Sequence, residues 1–279
     1  MPIMITAYRM PPLRSYPNRN TLRTCLLGLA LVGSLMATPS IAADLMQTIE
    51  QVKLSVVGIG TFAKLRQPSI QFVGTGFVVA DGRYVITNAH VVDKPLDVEK
   101  RETPIVLVSR NGEPEPREAA ILAVDRAHDI ALLRISGEAV PALKLGDSGT
   151  VREGQMLAFT GFPIGMALGF RAATHRGMVS AITPNVLPAI TARQLNAQMI
   201  GRVRDSAYMV FQLDGTAYPG NSGSPLYSPD DGTVFGVINS VFVQGTREAA
   251  ISHPSGITYA IPARYIRDML RREKIPDFE

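Results

Sequence analysis

Residues 219–226 read Pro-Gly-Asn-Ser-Gly-Ser-Pro-Leu, and residues 146–149 read Gly-Asp-Ser-Gly. Each offers a serine beside glycine, whereas a single reaction centre uses one nucleophile. A serine hydroxyl attacks only when a base takes its proton, a third group orients the base and preset donors meet the oxyanion that forms. Ser222 has the frame for this. Gly220 can place its N–H beside that of Ser222 in a turn that a β-carbon would forbid, and two converging N–H groups make an oxyanion hole. Ser148 runs instead into Gly149-Thr150-Val151 and a charged linker, with no proline or strand to fix it. Ser222 is therefore the candidate nucleophile, and Ser148 reads as a turn.

The base is sought among four histidines. His90 ends an apolar stretch in Thr87-Asn88-Ala89-His90-Val91-Val92, where the small residues before it allow a tightly packed, fixed ring. In His128-Asp129-Ile130-Ala131-Leu132-Leu133 a carboxylate enters an apolar strand, and a buried carboxylate needs partners because an unpaired buried charge is costly. His175 and His253 read as polar, turn-like positions. The order His90, Asp129, Ser222 is that of the chymotrypsin plan. The rival order, Ser222, Asp230 or Asp231, His253, belongs to a G-x-S-x-G elbow on a βαβ sheet. It fails because Ser224 takes the second glycine's place and no βαβ pattern surrounds it.

Around these residues the chain reads as β. Ser55–Gly60, Phe72–Val79, Tyr84–Thr87, Pro104–Val108 and Ala119–Val124 are rich in Val, Ile and Phe, with turn signals at Asp81-Gly82 and Asn111-Gly112. Gln155–Thr160, Gly177–Ile182, Met209–Leu213, Val234–Asn239 and Gly256–Ile261 repeat the pattern. Many short strands with few helices argue for antiparallel barrels or a sandwich. Residues 146–154 read as the hinge between two halves, 44–145 and 155–279. Asp44–Lys53 reads as a short amphipathic start, Arg264–Lys274 as a closing helix, and 185–207 as an insertion, either lid or passive loop.

The chain has 279 residues, 46% hydrophobic and 19% charged, which suits a globular protein with a sizeable core. Residues 1–43 stand apart. Arg9, Arg14, Arg19 and Arg23, without an acidic residue, precede the apolar run Cys25–Ala37 and the small-residue exit at Ala42 and Ala43. That pattern is a secretory signal peptide, and the apolar run falls short of the roughly 18 residues of a membrane span. The formal net charge of +4 resides wholly in those four arginines, so the remainder carries no net charge to attract nucleic acid. The single cysteine also lies there, which leaves no disulfide or thiolate metal site beyond it. No metal cluster or phosphate loop is visible, and no cofactor is expected.

Thr87–Val92 (TNAHVV), Asp129–Arg134 (DIALLR) and Pro219–Leu226 (PGNSGSPL) together resemble the three catalytic motifs of trypsin-like peptidases, most of all the HtrA/Deg type. The likeness covers roughly Ser55 to Leu270 and takes in Gly74-Thr75-Gly76-Phe77, Gly161-Phe162-Pro163, Thr174–Ala181 and Gly256–Arg264. It implies an all-β fold of two antiparallel β-barrels of chymotrypsin type, with the active site in the cleft and a short C-terminal helix. It also implies Ser222 as nucleophile, His90 as base, Asp129 as orienting acid, and Gly220, Asn221 and Ser222 as the oxyanion hole. Asp125 resembles a structural position. Thr216, six residues before the nucleophile, would sit at the base of the primary pocket beside Ala217 and Tyr218. Asn239, Ser240, Val241, Thr258, Tyr259 and Ala260 would supply its walls. None of these is acidic, so cleavage is expected after small or medium apolar residues of polypeptides. Too few residues follow Ala263 for the PDZ domain common in the family, and a homo-oligomer is left open. The competing expectation is a catalytically silent chaperone or binding module on the same scaffold.

Overall fold

The computed structural model describes residues 45–110, 112–165, 169–185, 208–239 and 256–278. The expected leader, the insertion beyond Asn185, His253, Ser240 and Val241 lie outside the described residues.

Helix α1 (Leu45–Lys53) buries Thr48 and Val52. It leads into β1 (Val56–Phe62), β2 (Ile70–Val79), β3 (Tyr84–Thr87), the one-turn helix α2 (Ala89–Val92), β4 (Thr103–Arg110), β5 (Glu113–Asp125) and β6 (Ile130–Ile135). These strands close an antiparallel barrel in the order β1-β2-β3-β6-β5-β4. A second barrel, ordered β10-β11-β12-β9-β8-β7, is built from β7 (Met156–Gly161), β8 (Ala173–Pro184), β9 (Met209–Asp214), β10 (Pro225–Tyr227), β11 (Val234–Asn239) and β12 (Ile257–Pro262). Helix α3 (Ala263–Arg272) follows at once. The expected pair of barrels and closing helix is present.

Strand alternation explains the near-continuous apolar runs. Val57, Ile59, Val78, Val85, Val106 and Leu133 fill the first barrel, and Leu157, Phe159, Val179, Leu213, Leu226, Ile238 and Ala260 fill the second. Residues of the opposite parity, among them Val56, Phe77, Val79, Ile86 and Leu132, join Val237, Ile261, Ile266 and Leu270 in a third cluster. Such strands are buried on both faces, as their composition requires.

Strand β5 is much longer than the expected Ala119–Val124. Pro114 and Pro116 disguise its first half. Among the described residues that half pairs only with β4 (Ser109↔Pro114, Leu107↔Pro116), while the pairing with β6 begins at Ala119. Proline is tolerated where the missing N–H faces an unpaired side. His175, read as turn-like, lies on β8, stacked on Phe159 with ring centroids 5.0 Å apart. The strand begins earlier than its Gly177–Ile182 core of small and β-branched residues suggested.

The linker is pinned rather than loose. The Gly146 N–H donates to the Val234 carbonyl and the Val234 N–H to that of Lys144, both at 2.8 Å. A β-carbon on Gly146 would meet Phe235 and Thr233 at 2.6 and 2.7 Å. Asp147 accepts from the Gly149 N–H to shape a short 3-10 turn, Ser148–Thr150. Ser148 is buried, and its Oγ accepts from the Arg264 N–H at 3.1 Å. Helix α3 begins behind Pro262, which has no side-chain cap to offer. The hydroxyl of Ser148 therefore satisfies one of the helix's orphan amides from outside.

Two outcomes are expected. Ser148→Ala lowers unfolding stability by about 1 kcal/mol, the usual loss for a helix cap, measured by denaturant unfolding. The second concerns His175, whose Nε2 is buried without a partner and whose pKa burial pushes below the ordinary 6.5. The folded chain then resists the proton that the unfolded chain accepts, so stability is full above pH 6.5 and declines as pH falls below it. Thermal unfolding across that range shows the decline, and His175→Phe flattens it.

Candidate active site

Strand β3 delivers Thr87 and Asn88 to the start of α2, and α2 carries His90. The Thr87 hydroxyl donates to the Thr75 carbonyl at 2.7 Å. Asn88, fully buried, makes no helix-capping bond; its Nδ2 donates instead to the Asp129 carbonyl at 3.0 Å. Asp129, the turn residue just before β6, lies in the left-handed region with φ +53°, a conformation that persists in a non-glycine residue only when its surroundings hold it. The Asn88 bond is one such restraint.

The carboxylate of Asp129 accepts three further hydrogen bonds. Oδ1 accepts from the His90 backbone N–H at 2.9 Å, and Oδ2 from His90 Nδ1 at 2.7 Å and Asn239 Nδ2 at 2.7 Å. An ionised carboxylate only accepts, so Nδ1 carries the proton and Nε2 is left as the basic nitrogen. The side chains of His90 and Asp129 are 31% and 21% exposed, so the ring is held yet reachable.

Ser222 sits in the turn between β9 and β10, 5% exposed. Gly220 and Gly223 adopt φ of +104° and +88°, and a β-carbon at Gly223 would run into the Thr75 carbonyl. Thr75 of β2 rivets this turn to the first barrel. Its N–H donates to the Ser222 carbonyl at 2.9 Å, its hydroxyl donates to the Gly220 carbonyl at 2.6 Å, and the same hydroxyl accepts from the Phe162 N–H at 3.1 Å. The neighbouring Gly74 explains the convergence: a β-carbon there would lie 2.9 Å from Val91, next to His90, and 3.2 Å from the Ser222 carbonyl. The histidine turn and the serine turn both close on the space that a side chain at position 74 would fill.

Of the three amides expected to face an oxyanion, that of Asn221 is committed to the Tyr218 carbonyl at 2.9 Å. The Pro219 carbonyl accepts from the Ile164 N–H at 2.7 Å. Carbonyl and N–H of one trans peptide point opposite ways, so this contact turns the Gly220 N–H away from Ile164.

The pocket residues divide by parity. The Thr258 hydroxyl accepts from the Ala217 N–H at 2.8 Å and donates to the Gly215 carbonyl at 2.7 Å, which fixes the half-buried segment containing Thr216 and Tyr218 beside β12. Ala260 shares the Thr258 face and is buried in the second barrel. Asn239 and Tyr259 pair across β11 and β12 with the opposite parity, on the row of Val237 and Ile261 that faces the inter-barrel cluster. A strand alternates faces, so the side chains of consecutive residues point to opposite sides of the sheet.

His128 belongs to a neighbouring structure. It donates its backbone N–H to Asp125 Oδ1 at 3.1 Å, its Nδ1 lies 3.0 Å from Asp125 Oδ2, and Arg272 of α3 donates to that same oxygen at 2.9 Å. Its ring stacks on Tyr265 at 4.1 Å and meets the edge of Tyr208 at 5.0 Å. Burial raises the Asp125 carboxyl, but the bonds from His128 and Arg272 outweigh it and leave the group below its ordinary value. Burial, followed by the negative charge of Asp129, pushes the Tyr208 hydroxyl up to about 12. Sequence reasoning missed this clasp and also missed Thr75, Asn88 and the Asn239 contact. Among the described residues no group of His, Cys, Asp and Glu is arranged to hold a metal ion.

Comparison with known proteins agrees with this geometry. The trypsin-like peptidase domain family matches residues 74–237. A protein of Halomonas elongata named "Probable periplasmic serine endoprotease DegP-like" is 31% identical over 204 residues, covering 72% of this chain and 35% of that protein. The "Serine protease HTRA2, mitochondrial" of Drosophila pseudoobscura pseudoobscura is 33% identical over 207 residues, 74% of this chain and 40% of that one. The chain thus spans little more than a third of the length of these relatives. In solved structures, the HtrA-type protease AlgW with tripeptide superposes with TM-score 0.56 at 22% identity, covering 81% of this chain and 62% of that one, a likeness of fold. With that domain match, those two relatives and two closed barrels around His90, Asp129 and Ser222, the chain belongs to the trypsin-like peptidase family as a protease domain of HtrA type.

Proposed function

We propose that this chain is a serine endopeptidase that cuts polypeptides through an acyl-enzyme. The observation that supports it most is the carboxylate of Asp129, which holds the His90 ring by Nδ1 and its backbone by N–H at one end of the cleft that receives Ser222. In this reading His90 Nε2 takes the proton of Ser222 Oγ as the oxygen attacks the scissile carbonyl. The Gly220 and Ser222 amides receive the oxyanion, and the imidazolium that forms is stabilised by Asp129. His90 then protonates the leaving amine, the acyl-enzyme remains on Ser222, and water activated by the same nitrogen releases it.

The pocket beside Thr216, Ala217 and Thr258 carries no charge to pair with a basic or acidic side chain, which supports cleavage after small or medium apolar residues. The substrates proposed are unfolded or exposed protein segments, because an extended strand must enter the cleft between two closed barrels. The arginine-bearing leader and the periplasmic name of the Halomonas relative support export. Among the described residues no helix is long and apolar enough to cross a membrane.

Labelling with a fluorophosphonate probe distinguishes this reading from a silent binding module. Wild type and Ser148→Ala are expected to label, and Ser222→Ala is not; label that survives loss of Ser222 and vanishes with Ser148 refutes the assignment. Gly220→Ala is expected to reduce turnover by about a hundredfold or more, the usual loss for an oxyanion donor, because its β-carbon would run into the Phe162 carbonyl and shift the turn. In a peptide library the preferred residue before the cut is expected to be Ala, Val or similar. Strong selection for Arg, Lys or Glu overturns that part.

A further inference from the structure

The geometry points to Thr75 as a positioning residue for the oxyanion hole: a hydroxyl from the first barrel that fixes the peptide lying between the two amides proposed to receive the oxyanion. This rests on the peptidase reading above and deepens it at one side chain, which is 0% exposed and acts through the serine turn.

Successive peptides make up the serine turn, and the carbonyl of each has an anchor. That of Pro219 accepts from the Ile164 N–H at 2.7 Å, that of Gly220 from the Thr75 hydroxyl at 2.6 Å, that of Asn221 from the Ser224 N–H at 3.0 Å, and that of Ser222 from the Thr75 N–H at 2.9 Å. Carbonyl and N–H of a trans peptide point opposite ways, so these anchors set the directions of the Gly220 and Ser222 amides. The peptide joining Gly220 to Asn221 stands between those two amides. Its N–H donates to the Tyr218 carbonyl at 2.9 Å, so Thr75 and Tyr218 grip it from both ends. Rotating that peptide changes the dihedrals on either side of it and turns one oxyanion donor relative to the other.

The hydroxyl of Thr75 has one proton to give. The Phe162 N–H, 3.1 Å away, occupies one of its lone pairs, and the proton goes to the Gly220 carbonyl. Thr75 is itself held, because its carbonyl accepts from the Thr87 hydroxyl at 2.7 Å, three residues before His90. The turn's own side chains offer no substitute: the amide group of Asn221 and the hydroxyl of Ser224, both 0% exposed, have no hydrogen-bond partner. Gly220, at φ +104°, has no β-carbon to restrict its rotation. Without the Thr75 hydroxyl, the Gly220 carbonyl and the Phe162 N–H are both left buried and unpaired. The loss falls on the step in which charge develops on the substrate oxygen, because preset donors act there without reorganisation. An unpaired buried carbonyl of this kind corresponds to roughly ten- to hundredfold in rate.

The test compares wild type with Thr75→Val, which keeps the shape without the hydroxyl, Thr75→Ser, which keeps the hydroxyl, and Thr75→Cys, whose thiol is a weak donor. Each is assayed below its thermal unfolding midpoint with a fluorogenic peptide amide carrying valine before the leaving group. Each is also titrated with a peptide boronate, which becomes a tetrahedral anion on the nucleophile. The valine variant is expected to lose roughly ten- to hundredfold in kcat with KM little changed, and to bind the boronate more weakly by a similar factor. Serine recovers most of the loss. Cysteine falls between the two and supplies the reading if the valine variant does not fold. A folded valine or cysteine variant with wild-type kcat, a change confined to KM, an unchanged boronate affinity, or a serine variant as slow as valine overturns the inference while the peptidase reading stands. A wild type that takes no fluorophosphonate label at Ser222 overturns both.

Discussion

One carboxylate sets the terms for the rest of this molecule. Asp129 must be ionised to hold the His90 ring, must be partly withdrawn from water to hold it firmly, and cannot be left underpaired at that depth. The fold meets these requirements with donors drawn from three places: the His90 backbone, the His90 ring and Asn239. The left-handed backbone of Asp129 follows from the same demand, since it turns the side chain back toward α2 while the main chain enters β6. Strain of this kind persists where neighbours overdetermine it, and Asn88 supplies that restraint on the carbonyl side.

The barrels are joined by much more than the cleft residues. Apolar faces from both form a continuous cluster that includes helix α3, and Thr75 crosses the boundary with three hydrogen bonds to buried partners. Glycines 74 and 223 make that approach possible by removing the side chains that would separate the two turns. The clasp of Asp125, His128 and Arg272 extends the union from the turn before Asp129 to the end of α3. Disulfides play no part in any of this. Packing and buried polar bonds between sequence-distant residues do the holding.

Much of this could be read in advance, for physical reasons. Runs of Val, Ile and Leu bounded by Asp-Gly and Pro-Gly turns reveal strands, because such residues pack on pleated surfaces and such turns end them. Three motifs in fixed order single out His90, Asp129 and Ser222 as candidates, and the structure joins the first two by hydrogen bonds. What escaped was long-range. Nothing near Ser148 in the chain signals that it caps a helix more than a hundred residues later. Nor does anything near Asn239 in the chain signal that its side chain donates to Asp129, 110 residues away. Prolines masked the first half of β5, where local propensity yields to the fact that only one side of the strand is paired.

That half of β5 has a further consequence. A protein proposed to handle extended, unfolded chains is exposed to segments eager to pair with any free β-edge. Closed barrels present few such edges, and Pro114 and Pro116, of the same parity, remove two donors from one side of a stretch that would otherwise invite augmentation. On that proposed reading, an extended substrate is steered away from adventitious strand addition on the flank, and the same two rings disfavour edge-to-edge pairing with another copy.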